Sequence, residues 1–364
     1  MGLSKIILRI VLKILDALTF FIKQDSNRIT FVSLTQDHLS SDFKLIDEQL
    51  RNKSFDIHYN LIVFEQNIKG KLGYFFNCMK QLIDLKKSKL IILNDNNYVV
   101  SYFKPENTIV MQIWHAPGAV KKFGNQIQRQ YPIQNYDYVI CNSPYWKKCY
   151  SEAFHVKEDQ VIVTGLPRMD MLINKEEIHF YEKYPQCRNK RLILYAPTFR
   201  GNIIDGFKME CIHFDSLKLE ENEMILCKFH PLLQDIQIQQ NNVLNVSHED
   251  LYELMKVSDC MISDYSSVIF DYCLLNKEMI GFVPDYDTYK QTIGFNIDFY
   301  QDFPGPVCQS EEELNRVLHK SISIHPEFQK KYVSFKDGNN TKRVVELICE
   351  IMKSKSAINL DGVR

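Results

Sequence analysis

Short runs rich in β-branched and aromatic residues alternate with stretches of helical periodicity along most of the chain. The strand-like runs of the first half are residues 28–34, 57–64, 89–93, 108–114, 138–141 and 161–164, each closed by polar or glycine-containing turn signals. Residues 43–52 and 74–86 read as helices between them. A second series follows at 191–195, 223–229, 243–246, 260–263 and 278–283, and Val344, Val345, Ile348 and Ile351 give residues 340–353 a helical period. This alternation predicts parallel sheets with helices on both faces. The stretch 174–190, rich in Lys, Glu and Tyr and containing Pro185, is the expected link between two doubly wound domains that face a common cleft.

Residues 2–23 follow a different pattern. Lys5, Arg9 and Lys13 recur every four residues with Asp16 on the same face, while Ile6, Ile7, Ile10, Val11, Ile14, Leu15, Leu18 and Ile22 fill the rest. That is an amphipathic helix with a narrow charged stripe. The charges interrupt the apolar centre a signal peptide needs, and in a membrane span each central charge costs ~2.5 kcal/mol or more. Ile6 stands where an N-myristoylation signal has Ser or Thr. Two uses stay open: the helix lies in a membrane interface, cationic face toward anionic headgroups, or it packs its apolar face on the protein.

Length supports the two-domain reading, since 364 residues exceed the ~250–300 that one core serves. The expected division is a helix over 1–24, one domain over 25–180 and another over 181–364. A composition of 45% apolar and 24% charged residues is that of a folded globular chain. The net charge of −1 supplies no concentrated basic field for nucleic acid. Ten cysteines are scattered without a CxxC pair, so the chain is expected to hold reduced thiols, no metal site and no cofactor.

In open α/β sheets, ligands bind beyond the carboxyl ends of the strands. Four strand ends carry polar groups. His115, Ala116, Pro117 and Gly118 follow the run 108–114, with Lys121 and Lys122 close behind. Pro197, Thr198, Phe199 and Arg200 come soon after 191–195. Lys228, Phe229 and His230 close 223–229, and Asp264, Tyr265, Ser266 and Ser267 lead from 260–263 into a helix bearing Asp271. An imidazole titrates near neutral pH and can take a proton from a hydroxyl nucleophile, which suits His115; as a strand-end histidine it can equally be structural. Ser266 and Ser267 read either as a helix N-cap or as an anion site. Asp271, four residues beyond Ser267, is either part of that site or a solvated charge. Arg168, after the strand 161–164, is a candidate phosphate clamp or an ordinary surface charge.

Taken in order, the segments Trp114–His115 through Lys121-Lys122-Phe123-Gly124, Gly165-Leu166-Pro167-Arg168, Tyr195-Ala196-Pro197-Thr198-Phe199-Arg200, Phe229-His230-Pro231 and Ser258-Asp259 through Asp264-Tyr265-Ser266-Ser267-Val268 to Asp271 resemble the CDP-glycerol glycerophosphotransferase family of teichoic acid enzymes. The resemblance implies a GT-B fold, two Rossmann-like domains with the donor held between them. It implies His115 as the base that activates the acceptor hydroxyl and His230 as a catalytic group near the donor phosphates. It also implies a CDP-glycerol site lined by Arg168, Pro197, Thr198, Lys228, Phe229, His230, Ser266, Ser267 and Asp271. The expected reaction moves glycerol phosphate from CDP-glycerol to a hydroxyl of an undecaprenyl-diphosphate-linked disaccharide and releases CMP. The expected location is the cytoplasmic face of the membrane, as a peripheral protein.

Many polymerases of this family carry Trp-His-Gly-Thr-Pro-Leu-Lys, whereas this chain has Trp-His-Ala-Pro-Gly-Ala-Val-Lys-Lys-Phe-Gly, similar to the glycerol-phosphate primases. Alternatives within the family are a polymerase or a CDP-ribitol-using transferase. Outside it stand a GT-B glycosyltransferase using a nucleotide sugar, and a non-catalytic scaffold that keeps the fold.

Overall fold

Each strand-like run forms a strand whose ends fall within three residues of those read from the pattern. In the computed structural model these are β1 (Asp25–Ser33), β3 (Asp56–Val63), β4 (Ser88–Leu93), β5 (Ile109–Gln112), β6 (Tyr138–Cys141) and β7 (Val161–Val163), with a two-residue β2 (Thr35–Gln36) that the pattern does not announce. The structure describes residues 3–354 apart from 66, 175–176, 203–205, 210–211, 230–237, 239 and 321–325. These seven strands form one sheet in the order β2-β3-β1-β4-β5-β6-β7, parallel throughout except for the β2–β3 pair. All residues of β5 and β6 are buried, as in a sheet covered on both faces. Helices α1 (Leu3–Leu18), α2 (Ser41–Leu50) and α3 (Ile68–Lys87) belong to the same body. Ser40 caps α2 by accepting the Phe43 N–H, and Asn67 caps α3 from Gly70 N–H, which fixes where each begins.

The second sheet has the order β12-β11-β8-β13-β14-β15, all parallel. Its strands are β8 (Arg191–Ala196), β11 (Glu223–Cys227), β12 (Val243–Asn245), β13 (Cys260–Ser263), β14 (Glu278–Phe282) and β15 (Val307–Cys308). A separate antiparallel hairpin, β9 (Phe199–Asn202) with β10 (Gly206–Met209), leaves directly after β8. Ile193, Tyr195, Ile225, Cys227, Ile262, Ile280 and Phe282 form a continuous core on one face of this sheet.

The chain divides into two compact units: unit 1 comprises Met1–Pro117, Phe123–Asp170 and Asp337–Arg364, and unit 2 comprises Gly118–Lys122 and Met171–Lys336. The main boundary falls after Asp170 rather than after residue 180, and two further segments depart from a single cut. The helix Asn340–Lys353 packs in unit 1. Asp170 accepts the backbone N–H groups of Asn340 (3.0 Å) and Thr341 (2.8 Å) at its start, and Lys89 donates to the carbonyls of Met352 and Ser354 at its end. The segment 118–122 joins unit 2 through backbone hydrogen bonds, Lys122 N–H to Gly294 O (3.1 Å) and Asn296 N–H to Val120 O (2.8 Å).

The charged stripe of α1 is turned differently from an outward cationic face. Lys5 donates to Gln130, the Arg9 guanidinium lies 4.7 Å from the Tyr102 ring centroid, and Asp16 pairs with Lys86 at 2.7 Å. Leu8 and Leu12 are buried, while Ile6, Ile7, Ile10, Ile14 and Leu18 are exposed and Phe20 and Phe21 continue the apolar surface. Among the described residues no helix is long and apolar enough to cross a membrane.

Candidate active site

Strand order reverses twice, between β1 and β4 in unit 1 and between β8 and β13 in unit 2. Such switch points open a crevice beyond the carboxyl ends of the two strands. Their occupants decide what each unit can bind. A cavity of about 890 Å³ in unit 1, lined by Gln24, Ser26, Lys89, Ile109 and Asp137 among others, lies at the opposite, amino ends of the strands.

In unit 1, β4 is followed by Asn94 and Asp95, and β5 by Trp114 and His115. His115 is exposed. Its Nδ1 lies 3.1 Å from the Asn94 carbonyl oxygen, which only accepts, so Nδ1 carries the proton in this contact. In a neutral ring of that tautomer Nε2 is the basic nitrogen. The Trp114 ring lies against the imidazole, centroids 3.9 Å apart, and itself stacks on Phe123. Asp95 is buried, accepts from Leu34 N–H at 2.6 Å, and is pushed by burial up to about 7.

Beyond β5 the backbone leaves the ladder, and its carbonyls need other donors. Four in succession find side chains. Arg168 donates to Trp114 O (2.9 Å) and His115 O (2.5 Å), the Tyr150 hydroxyl to Ala116 O (3.1 Å), and Asn142 to Pro117 O (2.5 Å). Arg168, read from the sequence as a phosphate clamp, thus binds backbone carbonyls beside His115 in unit 1 and also pairs with Asp42 at 2.8 Å.

In unit 2 the carboxyl ends of β8 and β13 are tied together. Ser263 donates to Ala196 O (2.8 Å) and Thr198 N–H to an Asp264 carboxylate oxygen (2.8 Å). Pro197 is buried, and the buried Thr198 hydroxyl has no partner among the described residues. Ser266 and Ser267 are half-buried; Ser266 Oγ accepts from Val268 N–H at 3.4 Å, whereas the Ser267 hydroxyl makes no capping hydrogen bond to the helix Val268–Tyr272. Asp271 on that helix is buried, so it is not a solvated surface charge.

Just beyond the neighbouring β11, Lys228 donates to the carbonyls of Ser247 and Glu249, both at 2.6 Å, and burial lowers its amine below the usual range against the opposing pull of Asp250 and Glu249. Phe229 is a buried core residue edge-on to Tyr195. His230 lies outside the described residues. Pro197, Thr198, Ser266 and Ser267 therefore follow the two strands of one switch point, with Asp271 buried on the helix beyond and Lys228 and Phe229 just past the adjoining strand.

The motif reading left Arg200 without a role. Its guanidinium donates to both oxygens of Asp285 (2.7 and 3.0 Å), pairs with Asp264 at 2.9 Å, and lies 4.8 and 4.9 Å from the Tyr265 and Tyr289 ring centroids. Lys121 is held in the same unit by Asn296, which donates to its carbonyl (3.1 Å); burial lowers its amine, Asp264 opposes this and Arg200 reinforces it. Asp42, Asn94, Asn142, Tyr150 and Asp285 carried no sequence signal, because each acts on a partner distant along the chain. Among the described residues, no group of three or more His, Cys, Asp or Glu side chains is arranged to hold a metal ion.

A family model for CDP-glycerol:poly(glycerophosphate) glycerophosphotransferases matches residues 14–350. The chain belongs to that family. Within it, the chain is 29% identical over 362 residues to the teichoic acid ribitol-phosphate primase of Bacillus spizizenii, covering 90% of this chain and 92% of that one. It is 27% identical to the teichoic acid glycerol-phosphate primase of Bacillus subtilis, covering 71% and 73%. The solved structure of the wall teichoic acid polymerase TagF superposes with a TM-score of 0.71 at 22% identity over 93% of each chain, a likeness of fold. Membership makes this glycerophosphotransferase-family chain a transferase of teichoic acid type, and primases stand among its relatives.

Proposed function

We propose that the chain transfers one glycerol phosphate from CDP-glycerol to a hydroxyl of a prenyl-diphosphate-linked disaccharide, releasing CMP, as the priming step of a wall teichoic acid. The observation that carries this reading is the His115 ring, exposed just beyond β5 with its Nδ1 held by the Asn94 carbonyl, which makes Nε2 the basic nitrogen of the neutral ring. The acceptor hydroxyl loses its proton to Nε2 and attacks the donor phosphorus that bears glycerol, in line with the departing CMP. Positioning and charge neutralisation supply most of the catalysis in such a transfer. Pro197, Thr198, Ser266, Ser267 and Asp271 line the donor site at the unit 2 switch point, and Lys228, Phe229 and His230 come from the residues that follow β11. The GT-B arrangement, in which these residues and His115 serve one reaction, is part of the proposal.

Ribitol is the specific second reading, since the ribitol-phosphate primase is 29% identical to this chain against 27% and 25% for two glycerol-phosphate primases. Calorimetric titration with CDP-glycerol, CDP-ribitol and a UDP-sugar separates the donors. The expected result is tightest binding of CDP-glycerol; preference for CDP-ribitol moves the assignment within the family, and preference for the UDP-sugar removes it.

The apolar exterior of α1 supports attachment to the membrane that holds such an acceptor. Ile10 and Ile14 are each about half exposed, and α3 exposes Ile68, Leu72 and Phe76 at four-residue spacing, with Lys69 and Lys71 beside them. The apolar side enters the interface, and lysines at its edge meet anionic headgroups. Replacing Ile10 and Ile14 by aspartate is expected to weaken sedimentation with phosphatidylglycerol vesicles by about 10²-fold. Unchanged sedimentation rejects this anchor.

A further inference from the structure

We propose that Asp42 and Arg168 form a positioning pair that aims the His115 ring, so that Arg168 serves the base. The inference rests on the reading of His115 as base.

Asp42 sits in the first turn of α2 and is almost fully buried, with its side chain 4% exposed against 13% for Arg168. One carboxylate oxygen accepts the Arg168 backbone N–H at 2.8 Å and the other pairs with Nη2 at 2.8 Å. The guanidinium is thereby oriented from behind. Its forward edge donates to the carbonyls of Trp114 and His115. A planar fork of this kind fixes direction as well as distance.

The turn that carries Arg168 is itself immobilised. Gly165 has a φ of +76°, and a Cβ there would fall 2.1 Å from the Asn340 side-chain oxygen, so the backbone passes this neighbour only as glycine. Two residues beyond Arg168, Asp170 takes the first N–H groups of the C-terminal helix and the Thr341 hydroxyl (2.7 Å). Arg168 is thus braced on three sides: Gly165 before it, Asp170 after it and Asp42 beside it. With the main chain of His115 held by Arg168 and its ring by the Asn94 carbonyl, two points define the axis of the imidazole. Displacing a reacting group by about 1 Å can cost about 10²-fold in rate.

The test uses two conservative variants of the full chain. Asp42→Asn keeps the shape and loses the charge; Arg168→Lys keeps the charge and loses the fork. Each is assayed for kcat, for donor KM and for the ring nitrogen resonances of His115 in ¹⁵N-histidine-labelled protein, assigned by loss in His115→Gln. The expected result is a fall in kcat of about 10²-fold with donor KM within two-fold, together with a changed His115 tautomer signal and a displaced acid limb of the kcat profile. A donor KM raised ten-fold or more with His115 resonances unchanged makes Arg168 a donor ligand and overturns the pair. A fall in kcat with unchanged resonances overturns it too, since that is a structural effect alone. A changed resonance with wild-type kcat keeps the pair and instead removes the base role from His115.

Discussion

His115→Ala is expected to lower the transfer rate by about 10²–10⁴-fold, the usual loss when a general base is removed, while CDP-glycerol affinity stays within a few-fold. The separation follows from placement. His115 belongs to unit 1 and is exposed, so truncating it leaves no core cavity. The donor residues proposed around Thr198 and Ser266 belong to unit 2. Single-turnover rates at saturating donor, alongside calorimetric donor titration, distinguish loss of chemistry from loss of binding. Wild-type turnover in this variant contradicts the assignment, and loss of donor affinity makes His115 a binding residue.

The second large effect is on stability. Arg200→Met is expected to destabilise unit 2 by about 3–5 kcal/mol at pH 7, because it leaves Asp264 and Asp285 without their counter-charge in a mostly buried site. Burial tends to raise Asp285, but the hydrogen bonds and charge of Arg200, with the Tyr265 hydroxyl, outweigh it and hold this carboxyl below its usual range. A carboxyl depressed in the folded chain adds stability above its unfolded pKa of about 3.9 and loses it as pH falls through the lower folded value. Burial raises Asp264 even beside Arg200, so the gap between wild type and variant in urea denaturation is largest at neutral pH and narrows as pH falls and the two unpaired carboxyls take up protons, Asp264 first. A gap under 1 kcal/mol at pH 7 contradicts the bracing role of Arg200.

The strands were legible because period-2 and continuously apolar runs are the signature of a sheet buried on both faces, and β4, β5 and β6 carry it over nearly every residue. The hairpin β9–β10 was not legible, since Phe-Arg-Gly-Asn and Gly-Phe-Lys-Met show no clean alternation. The helix Asn340–Lys353 was, but its home was not. Linear order places it after unit 2, and only the long-range bonds of Asp170 and Lys89 return it to unit 1. The site divides in the same way. Motif order drew attention to Thr198, Ser266 and Ser267, whereas the partners of Arg168 could not be read. Asp42 lies 126 residues away from it, and the carbonyls it holds carry no side-chain identity. Asp271 was balanced between a surface charge and a site residue, and burial decides against the first.

The central claim is the transfer of a polyol phosphate from a CDP-activated donor. Its most direct test is mass spectrometry of the lipid product formed by the purified chain from CDP-glycerol and a synthetic prenyl-diphosphate-linked disaccharide. The expected product is an acceptor heavier by one glycerol phosphate, with CMP released in equal amount. An unchanged acceptor with CDP-glycerol and with CDP-ribitol alike, or a sugar transferred from a UDP-sugar instead, contradicts it.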